Sequence, residues 1–490
     1  MQVRRFGVVS AAEIPDSAVA VWMPLTEAAT GDVWAEAAEC SADDIDLIVE
    51  AATVAFREQW RPLDGTQRGR LIRRWADLVE QHGPELAELD SRDTGNLRTE
   101  ALGDVASAVN WLGYYAGMAD KIEGRSLPAA PGRVGYTVRE PFGVVAGINS
   151  YNANVTQCAW KGAPALAAGN CVILKAPEVA PSSSIRMGEL ALEAGIPAGV
   201  VNVVTGRGSV TGTALAEHPG IGRLVFTGSA TTAERITMSS ASSLKALGFE
   251  LGGKNAVIVL PDVDADLFVP SILHSNFVKA GQSCASGSRV YVHADRYDEL
   301  ADRLAKAAQA IKVGLPSDPS SQMGSLVTQA HRDRVAEMVA RGVSQGAQII
   351  AGGERAGGPL EAGAFYQPTV AVGLQDDNTL VQDELFGPVL GLMRYEDLDE
   401  AIVRANALDV GLTAQIWGDS ASAIHHAARE LDAGTIWVNT YRSVHWTAPY
   451  GGFKRSGYGR ENGFEALDLY TQTKTVMWDL TTDRQLPYQA

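Results

Sequence analysis

The sequence predicts an α/β protein with parallel sheets and helices packed on both faces of them. From Gly143 onward, short apolar runs alternate with segments of helical periodicity, which is typical of parallel sheets. The chain has 490 residues, of which 46% are hydrophobic and 20% charged, enough for two or three domains with sizeable cores. Because such folds bind ligands beyond the carboxyl ends of their strands, polar residues at those ends are the first candidates for function.

Charge and cysteine usage exclude several classes of protein. The net charge of -17 argues against nucleic acid as a partner and weighs against anionic membranes, because phosphate binding requires a basic surface. No apolar run reaches the roughly 18 residues that span a bilayer, and no signal peptide is evident, so we expect a cytoplasmic protein. The cysteines are widely spaced, which predicts neither a disulfide framework nor a metal site. They are Cys40, Cys158, Cys171 and Cys284.

Helices are predicted to dominate the region before residue 120. Ser41 is a typical N-cap for a helix whose apolar positions repeat at helical spacing. A second helix is predicted to begin near Thr66 and to end before Gly83, and helical periodicity continues over 84–120. Prolines and glycines interrupt residues 121–140, where we expect an arm that leaves the first domain and returns.

Two sets of strands are predicted after residue 143. The first set covers 144–148, 170–175, 200–204, 224–227 and 247–251. The second set covers 256–260, 288–292, 389–393 and 435–438. Residues 469–477 alternate like a further strand, and the sequence leaves open whether it pairs within this chain or with a partner chain.

Cys284 is the candidate nucleophile. It lies among small residues between Gly281 and Gly287, which let other backbone approach closely. A cysteine reacts as its thiolate, although an inert buried thiol is the more common state of a cytosolic cysteine. Glu250, at the end of a predicted strand and just before a Gly-Gly turn, adds a carboxylate that favours the reactive interpretation.

Two pairs of residues at strand ends suit a dinucleotide. Lys175 and Glu178 follow a predicted strand, and an ammonium with a carboxylate fits the hydroxyls of a ribose. A surface ion pair is the alternative for these two residues. Gly228 and Ser229 precede a predicted helix whose first amide groups can hold a phosphate.

Further polar and aromatic residues extend this pattern. Asn152 follows the strand 144–148, and its amide can stabilise an oxyanion by about 3 kcal/mol, although asparagine is also common in turns. Glu384 and Phe386 offer a carboxylate for a second ribose and an aromatic ring beside a nicotinamide. The glycine cluster 206–212 lacks G-x-G-x-x-G spacing, so we interpret it as a turn near the cofactor.

These motifs together resemble the aldehyde dehydrogenase superfamily. The matching strings follow one another in the family's order at 140–144, 160–170, 226–229, 250–254, 281–284, 384–388 and 449–457. The resemblance implies a Rossmann-like cofactor domain, an α/β catalytic domain and a small β arm for oligomerisation, which make a homodimer or homotetramer. The corresponding limits are 1–120 with 141–249 for the first domain, 250–465 for the second, and 121–140 with 466–490 for the arm.

The resemblance also implies a role for each matching residue. Cys284 would be the nucleophile, Glu250 the general base, Asn152 the oxyanion donor and Glu461 a member of the proton path. The implied cofactor contacts are Lys175, Glu178, Gly228, Ser229, Glu384 and Phe386. The implied substrate pocket is formed by Trp160, Gln157, Arg442, His445 and Tyr450.

The implied reaction is the oxidation of an aldehyde to a carboxylic acid with NAD, NADP being possible. Glu250 favours hydrolysis of the thioester over transfer to coenzyme A, and Glu178 would repel a 2′-phosphate. The string 150–154 is more polar and has smaller side chains than the family's aromatic-rich string, and Gln157 and His445 add polarity to the implied pocket. Trp160, Trp446 and Tyr450 could hold a flat or aliphatic body, so we expect a polar or aromatic aldehyde. Two alternatives are a cofactor-independent thiol hydrolase using Cys284 with a histidine, and a catalytically silent binding protein of the same fold.

Overall fold

Two large sheets and a small arm sheet organise the chain. The structure, a computed structural model, describes residues 4–12, 14, 19–441 and 443–482. Arg442, one of the predicted pocket residues, lies outside the described residues. Within the described ranges, no helix combines the length and the apolar character needed to cross a membrane.

The strands are short and are numbered in chain order. They are β1 Arg4–Phe6, β2 Trp22–Thr26, β3 Val33–Ala38, β4 Ser126–Leu127, β5 Arg133–Pro141, β6 Val144–Ile148, β7 Cys171–Lys175, β8 Val201–Val204, β9 Arg223–Gly228, β10 Ala246–Leu251, β11 Ala256–Val259, β12 Arg289–His293, β13 Gln348–Ala351, β14 Thr369–Val372, β15 Val389–Tyr395, β16 Val410–Gly411, β17 Thr413–Trp417, β18 Thr435–Val438, β19 Phe453–Lys454, β20 Gly457–Tyr458 and β21 Thr471–Asp479.

The α-helices are numbered in the same way. They are α1 Ala42–Ala55, α2 Gly65–Gln81, α3 Gly83–Thr94, α4 Arg98–Met118, α5 Asn154–Ala167, α6 Ser182–Glu193, α7 Thr213–Glu217, α8 Ala230–Ser240, α9 Ala265–Phe277, α10 Ala294–Gln309, α11 Gln329–Ser344, α12 Thr379–Gln382, α13 Leu398–Asn406, α14 Ala421–Glu430 and α15 Ala466–Leu469.

The first large sheet has the strand order β20-β10-β9-β6-β7-β8, and its strands are parallel except for β20. The second has the order β13-β14-β15-β12-β11-β17-β18, and its strands are parallel except for β13. Each sheet has its own hydrophobic core with the helices that pack on it. The predicted α/β class with two strand sets is therefore confirmed.

The bounds of helices and strands were predicted correctly where a short stretch of sequence contains the whole signal. Ser41 caps α1 in a capping box with Asp44, and β18 has the predicted bounds. The helical region predicted over 84–120 contains two helices, α3 and α4, because Gly95 takes a left-handed φ of 78° and separates them.

The sequence prediction missed three strands of the second sheet, β13, β14 and β17. In β17 the polar Gln415 interrupts the apolar run, yet it is fully buried. Its amide N–H donates to the hydroxyl of Ser275, which is distant in the sequence. Its side-chain carbonyl accepts the indole N–H of Trp417, two residues further along the same strand. A strand whose central polar residue is satisfied by tertiary contacts gives a weak periodic signal.

The C-terminal strand pairs within its own chain. β21 runs antiparallel to β5 in continuous register, from Thr471 opposite Pro141 to Asp479 opposite Arg133, and β4 completes this arm sheet. The sequence left open whether this strand pairs within its own chain or with a partner chain, and the structure pairs β21 with β5 of the same chain.

The predicted division at residues 249 and 250 falls inside a strand. β10 spans Ala246–Leu251 and belongs wholly to the first sheet, which also contains β20 from the C-terminal part of the chain. The change of sheet occurs over 252–255, between the carboxyl end of β10 and the amino end of β11. The remaining domain limits stay a prediction.

Candidate active site

Cys284 lies in the loop that leads into β12. Its thiol is partly exposed, and Sγ is 3.9 Å from the hydroxyl of Tyr450. Asn255 Nδ2 donates to the carbonyls of Cys284 at 2.6 Å and Ser286 at 2.8 Å, which fixes the backbone of this loop. The site therefore holds an accessible thiol on a well-anchored backbone.

The other three cysteines, all within the described ranges, are buried and free. Burial raises the pKa of Cys40 to about 12 and that of Cys158 to about 11, and it raises the pKa of Cys171 as well. A thiol that stays protonated away from solvent is a poor nucleophile. Exposure thus singles out Cys284.

Asn152 lies next to the Cys284 loop, in a 3₁₀ turn that follows β6. Its Nδ2 donates to the carbonyl of Gln282 at 2.9 Å, and its Oδ1 accepts from Ser150 Oγ at 2.6 Å. An amide nitrogen carries two hydrogens, so one N–H remains for a ligand oxygen. The structure brings the predicted oxyanion donor and the predicted nucleophile to one place.

Gln157 supports the loop that carries Asn152. It is buried on α5, and its Oε1 accepts the N–H of Ser150 at 2.8 Å. Its Nε2 donates to Ser150 Oγ at 2.7 Å and lies 3.5 Å from Asn152 Oδ1. The amide of Gln157 is thus used within the protein, and a direct role in the substrate pocket stays a prediction.

Glu250 is a buried carboxyl group at the end of β10. It is 5% exposed, and Oε2 has no hydrogen-bond partner among the residues that the structure describes. Burial, reinforced by the nearby charge of Glu461, raises the pKa of Glu250 well above its usual range. A carboxylate whose pKa is raised in this way takes up a proton more readily than an exposed glutamate does.

Glu461 forms a buried ion pair with Lys161. Lys161 Nζ donates to Glu461 Oε1 at 2.9 Å and to the hydroxyl of Thr227 at 2.7 Å. The lysine and glutamate side chains are 0% and 3% exposed. The main chain of Glu461 also exchanges hydrogen bonds with Tyr450, so this glutamate is joined to the residue that faces Cys284.

Lys175 and Glu178 lie at the carboxyl end of β7 in different environments. Lys175 is buried, its Nζ donates to the carbonyl of Ala176 at 2.9 Å, and burial lowers its pKa to about 8. Glu178 is exposed and accepts the N–H of Gly208 at 3.0 Å. The glycine cluster that we interpreted as a turn therefore lies beside Glu178.

Gly228 and Ser229 occupy the junction between β9 and α8. Gly228 is the last residue of the strand, and Ser229 is the N-cap, with Oγ accepting the N–H of Thr232 at 3.2 Å. Both residues retain solvent exposure. The predicted helix start is present, and binding of a phosphate there stays a prediction.

Glu384 and Phe386 approach from the second sheet, just before β15. Burial raises the pKa of Glu384 to about 7, and its Oε1 accepts the N–H of Gly253 at 3.3 Å. A Cβ at Gly252 would lie 1.9 Å from Glu384 Oε2, so any larger residue there would displace the Glu384 carboxylate. The ring of Phe386 meets Tyr151 edge-on, with 5.9 Å between centroids.

Comparison with known proteins identifies the family. The model of the aldehyde dehydrogenase family matches residues 16–476. The chain belongs to the aldehyde dehydrogenase family. It is 39% identical to DhaS of Bacillus subtilis (strain 168) over 454 residues, covering 92% of this chain and 91% of the relative.

Solved structures agree with this assignment. An NAD⁺ complex of aldehyde dehydrogenase from Bacillus cereus is 38% identical, covers 94% of each chain and superposes with a TM-score of 0.92. A betaine aldehyde dehydrogenase variant from Staphylococcus aureus, in complex with NAD⁺ and with a BME-modified cysteine, is 31% identical at a TM-score of 0.96 and covers 99% of each chain. The predicted fold is thereby confirmed.

A series of contacting aromatic rings begins beside the thiol of this aldehyde dehydrogenase. Tyr450 contacts Trp160 at 5.7 Å between centroids, Trp160 contacts Trp111 at 5.6 Å, and Trp111 contacts Trp446 at 5.9 Å. His445 stacks on Trp446 at 3.8 Å. Two of the predicted pocket residues, Trp160 and Tyr450, thus lie together beside the nucleophile.

Trp111 is a member of this aromatic group that sequence reasoning missed. Its spacing within α4 is that of an ordinary apolar helix face, which predicts a core residue. Its indole N–H donates to Asn462 Oδ1 at 2.6 Å, next to Glu461 in the chain. A buried tryptophan with a satisfied N–H resembles core packing in sequence, and only the fold shows what it touches.

His445 is exposed, and its Nδ1 lies 2.7 Å from the hydroxyl of Thr447. The described part of the chain contains no cluster of three or more histidine, cysteine or acidic residues that could hold a metal ion. The predicted contacts of His445 with substrate stay a prediction.

Proposed function

We propose that this aldehyde dehydrogenase oxidises an aldehyde to the carboxylic acid through a covalent intermediate on Cys284. The observation that carries the proposal is the convergence of three groups where the two sheets meet. They are an accessible thiol at Cys284, an amide donor at Asn152 and a buried carboxyl group at Glu250. Glu250 lies against Gly451, the neighbour of the Tyr450 that faces the thiol, and its Oε2 has no hydrogen-bond partner among the described residues. Each of the three is the chemical group that one step of the reaction requires.

The first step is attack by the Cys284 thiolate on the aldehyde carbon. A sulfur–carbon bond forms, and the electron pair of the carbonyl moves to oxygen, giving a thiohemiacetal oxyanion. The free N–H of Asn152, together with the backbone N–H of Cys284, would stabilise that charge. When bound, the nicotinamide cofactor supplies the acceptor for the hydride that leaves the former aldehyde carbon.

The second step releases the acid. Glu250 would take a proton from water, the resulting hydroxide would attack the thioester carbon, and the carbon–sulfur bond would break to restore the Cys284 thiolate. The raised pKa makes the Glu250 carboxylate a stronger base than an exposed glutamate. The charges of Lys161 and Glu461 lie close enough to Glu250 to shift its pKa. We propose that this ion pair carries away the proton that Glu250 takes from water.

The residues present fit a dinucleotide, with NAD preferred and NADP possible. Lys175, Glu178 and Ser229 would contact it from the first sheet, and Glu384 and Phe386 from the second. Because Gly252 has no side chain, the Glu384 carboxylate can lie close to the backbone at that position. The exposed carboxylate of Glu178 would repel a 2′-phosphate and so favours NAD.

We propose an aromatic aldehyde as the substrate class. The rings of Trp160, Trp111 and Trp446 follow one another away from Tyr450 and the thiol. A flat aromatic body would pack against such rings, which favour edge-to-face and offset contacts. The polar character expected from Gln157 is weakened, because its amide is used to hold Ser150.

We also propose that the protein is a cytoplasmic homodimer or homotetramer. Met477 and Trp478 on β21 are each 60% exposed, which is costly for large apolar side chains unless a partner covers them. The free cysteines suit a reducing compartment. The arm sheet is therefore the proposed site of assembly.

The test is formation of NADH from NAD⁺ with a panel of aromatic, carboxylate-bearing and simple alkyl aldehydes. We expect turnover, highest with the aromatic members, and a loss of more than about 10³-fold in Cys284→Ala. Cys171→Ala, which removes a buried thiol on β7, is the matched control and should retain activity. Full oxidation by Cys284→Ala would rule out the covalent route.

A further inference from the structure

Lys279, five residues before Cys284, joins helix α4 to the turn that carries Asn152. Its Nζ donates to the carboxylate of Asp104 on α4 and, at 2.8 Å, to the main-chain carbonyl of Asn152. Its backbone N–H donates to Glu100 Oε1 at 2.8 Å. The side chains of Lys279 and Asp104 are 4% and 15% exposed, so these charged hydrogen bonds form largely away from water.

The backbone around Lys279 has an unusual conformation. Lys279 and Ala280 have φ of 54° and 52°, and Gly281 continues with a φ of 74°. Residues other than glycine rarely occupy this left-handed region, and they remain there only when surrounding contacts hold them. Lys279 is bonded to α4 through both its backbone and its side chain, which are contacts of that kind.

These bonds continue to the nucleophile. The backbone N–H and the Nε2 of Gln282 both donate to the carbonyl of Lys279 at 3.1 Å. The Gln282 carbonyl in turn accepts from Asn152 Nδ2 at 2.9 Å, two residues before Cys284. Asn152 is thus held at its carbonyl by Lys279 and at its amide by Gln282.

We propose that Lys279, anchored by Asp104 and Glu100, is a positioning residue that sets the distance between the Asn152 amide and the Cys284 thiol. Glu100 and Asp104 are four residues apart on α4 and therefore lie on one face of that helix. Together they anchor Lys279 to α4. Lys279 in turn bonds to the turn that carries Asn152 and to the loop that carries Cys284. This inference rests on the proposed function, because it assigns Lys279 to the oxyanion step.

Two substitutions separate the side chain from the backbone. Lys279→Met keeps the apolar stem and removes the ammonium group, whereas Lys279→Gly removes the side chain but tolerates the left-handed φ. Since a displacement of about 1 Å can cost on the order of 10²-fold in rate, we expect kcat to fall by about 10- to 100-fold in both variants. The KM for the aldehyde and the Kd for NAD⁺ should stay within about twofold.

Alkylation of Cys284 by iodoacetamide supplies a second readout. Sulfur displaces iodide in that reaction, and no carbonyl oxyanion forms, so the rate reports the thiol without the oxyanion hole. We expect alkylation rates within about twofold of the unmodified enzyme in both variants. The matched control is Lys306→Met, which removes an exposed lysine paired with Asp302 on α10 and should change neither rate.

The outcomes are distinguishable when circular dichroism shows that a variant is folded. A kcat within twofold of the unmodified enzyme in Lys279→Met or Lys279→Gly would overturn the positioning role. A parallel fall of kcat and alkylation would also overturn it, since that result would mean that the Cys284 loop had lost its structure. If the unmodified enzyme forms no NADH, the proposed function fails and this role fails with it, whereas a deficit confined to the variants leaves the proposed function standing.

Discussion

The two large sheets contribute opposite edges to the active site. The first sheet presents its carboxyl edge, where Asn152 follows β6 and Glu250 lies near the end of β10. The second sheet presents its amino edge, where Cys284 precedes β12 and Glu384 precedes β15. The linker 252–255 passes from one edge to the other, so the chain joins the two halves of the site directly.

This difference separates two ways of building a site. The carboxyl edge of a parallel sheet leads into helix N-termini and is the usual place for ligands, as the position of Ser229 before α8 illustrates. The amino edge receives loops whose shape depends on other elements, such as the Cys284 loop held by Asn255 and Lys279. General rules therefore indicate residues on the first edge, while the second needs a specific motif or the fold itself.

The largest effect that tests this comparison is expected at Glu250 on the carboxyl edge. Glu250→Gln should lower steady-state turnover by about 10²- to 10⁴-fold, because no base remains to activate water. The first turnover should still release NADH, since the acylation of Cys284 does not use this carboxylate. Rapid-mixing measurement of NADH would show a burst followed by a slow steady state.

The pH dependence of the unmodified enzyme checks the same residue. Glu250 acts in its deprotonated form, and its pKa is raised, so turnover should increase with pH through that raised pKa and fall about tenfold per unit below it. The acid limb should disappear in Glu250→Gln. A burst lost together with the steady state, or an unchanged acid limb, would remove Glu250 from the role of base.

A somewhat smaller effect is expected at Asn152 on the same edge. Asn152→Ala should lower kcat by about 10²- to 10³-fold, because it removes an oxyanion donor. Ser150→Ala keeps the amide and removes only the hydroxyl that orients it, so its loss should be smaller. Steady-state kinetics of both variants give the ranking, and equal activity of Asn152→Ala and the unmodified enzyme would contradict the assignment.

The smallest effects are expected for the two glutamates that would contact the cofactor. Glu384→Gln, on the amino edge, should raise the KM for NAD⁺ by about tenfold, since a charged hydrogen bond to a hydroxyl is weakened. Glu178→Gln, on the carboxyl edge, should instead raise kcat/KM for NADP⁺ several-fold, because a charge that repels the 2′-phosphate is removed.

Kinetics with NAD⁺ and NADP⁺ in parallel compare these two variants under one assay. If both glutamates affected the two cofactors alike, the two edges would not hold different parts of the dinucleotide. An unchanged KM for NAD⁺ in Glu384→Gln would remove the second sheet from cofactor binding.

Much of the fold was predictable because its signals are local. The capped start of α1, the bounds of β18 and the alternation of strands and helices are each contained in one stretch of sequence. The strand β17 was missed because the burial of Gln415 depends on Ser275, which is 140 positions away. The split between α3 and α4 at Gly95 was missed because glycine is also tolerated within helices.

By itself, the sequence determined which chemical groups the protein carries and in what order, including the thiol of Cys284 and the carboxyl group of Glu250. Tertiary structure alone decided their state: which cysteine is accessible, that burial raises the Glu250 pKa, and that β21 returns to its own chain. The physical reason is distance along the chain. Burial and ion pairing arise between residues as far apart as Lys161 and Glu461, 300 positions away, and no local pattern encodes such a contact.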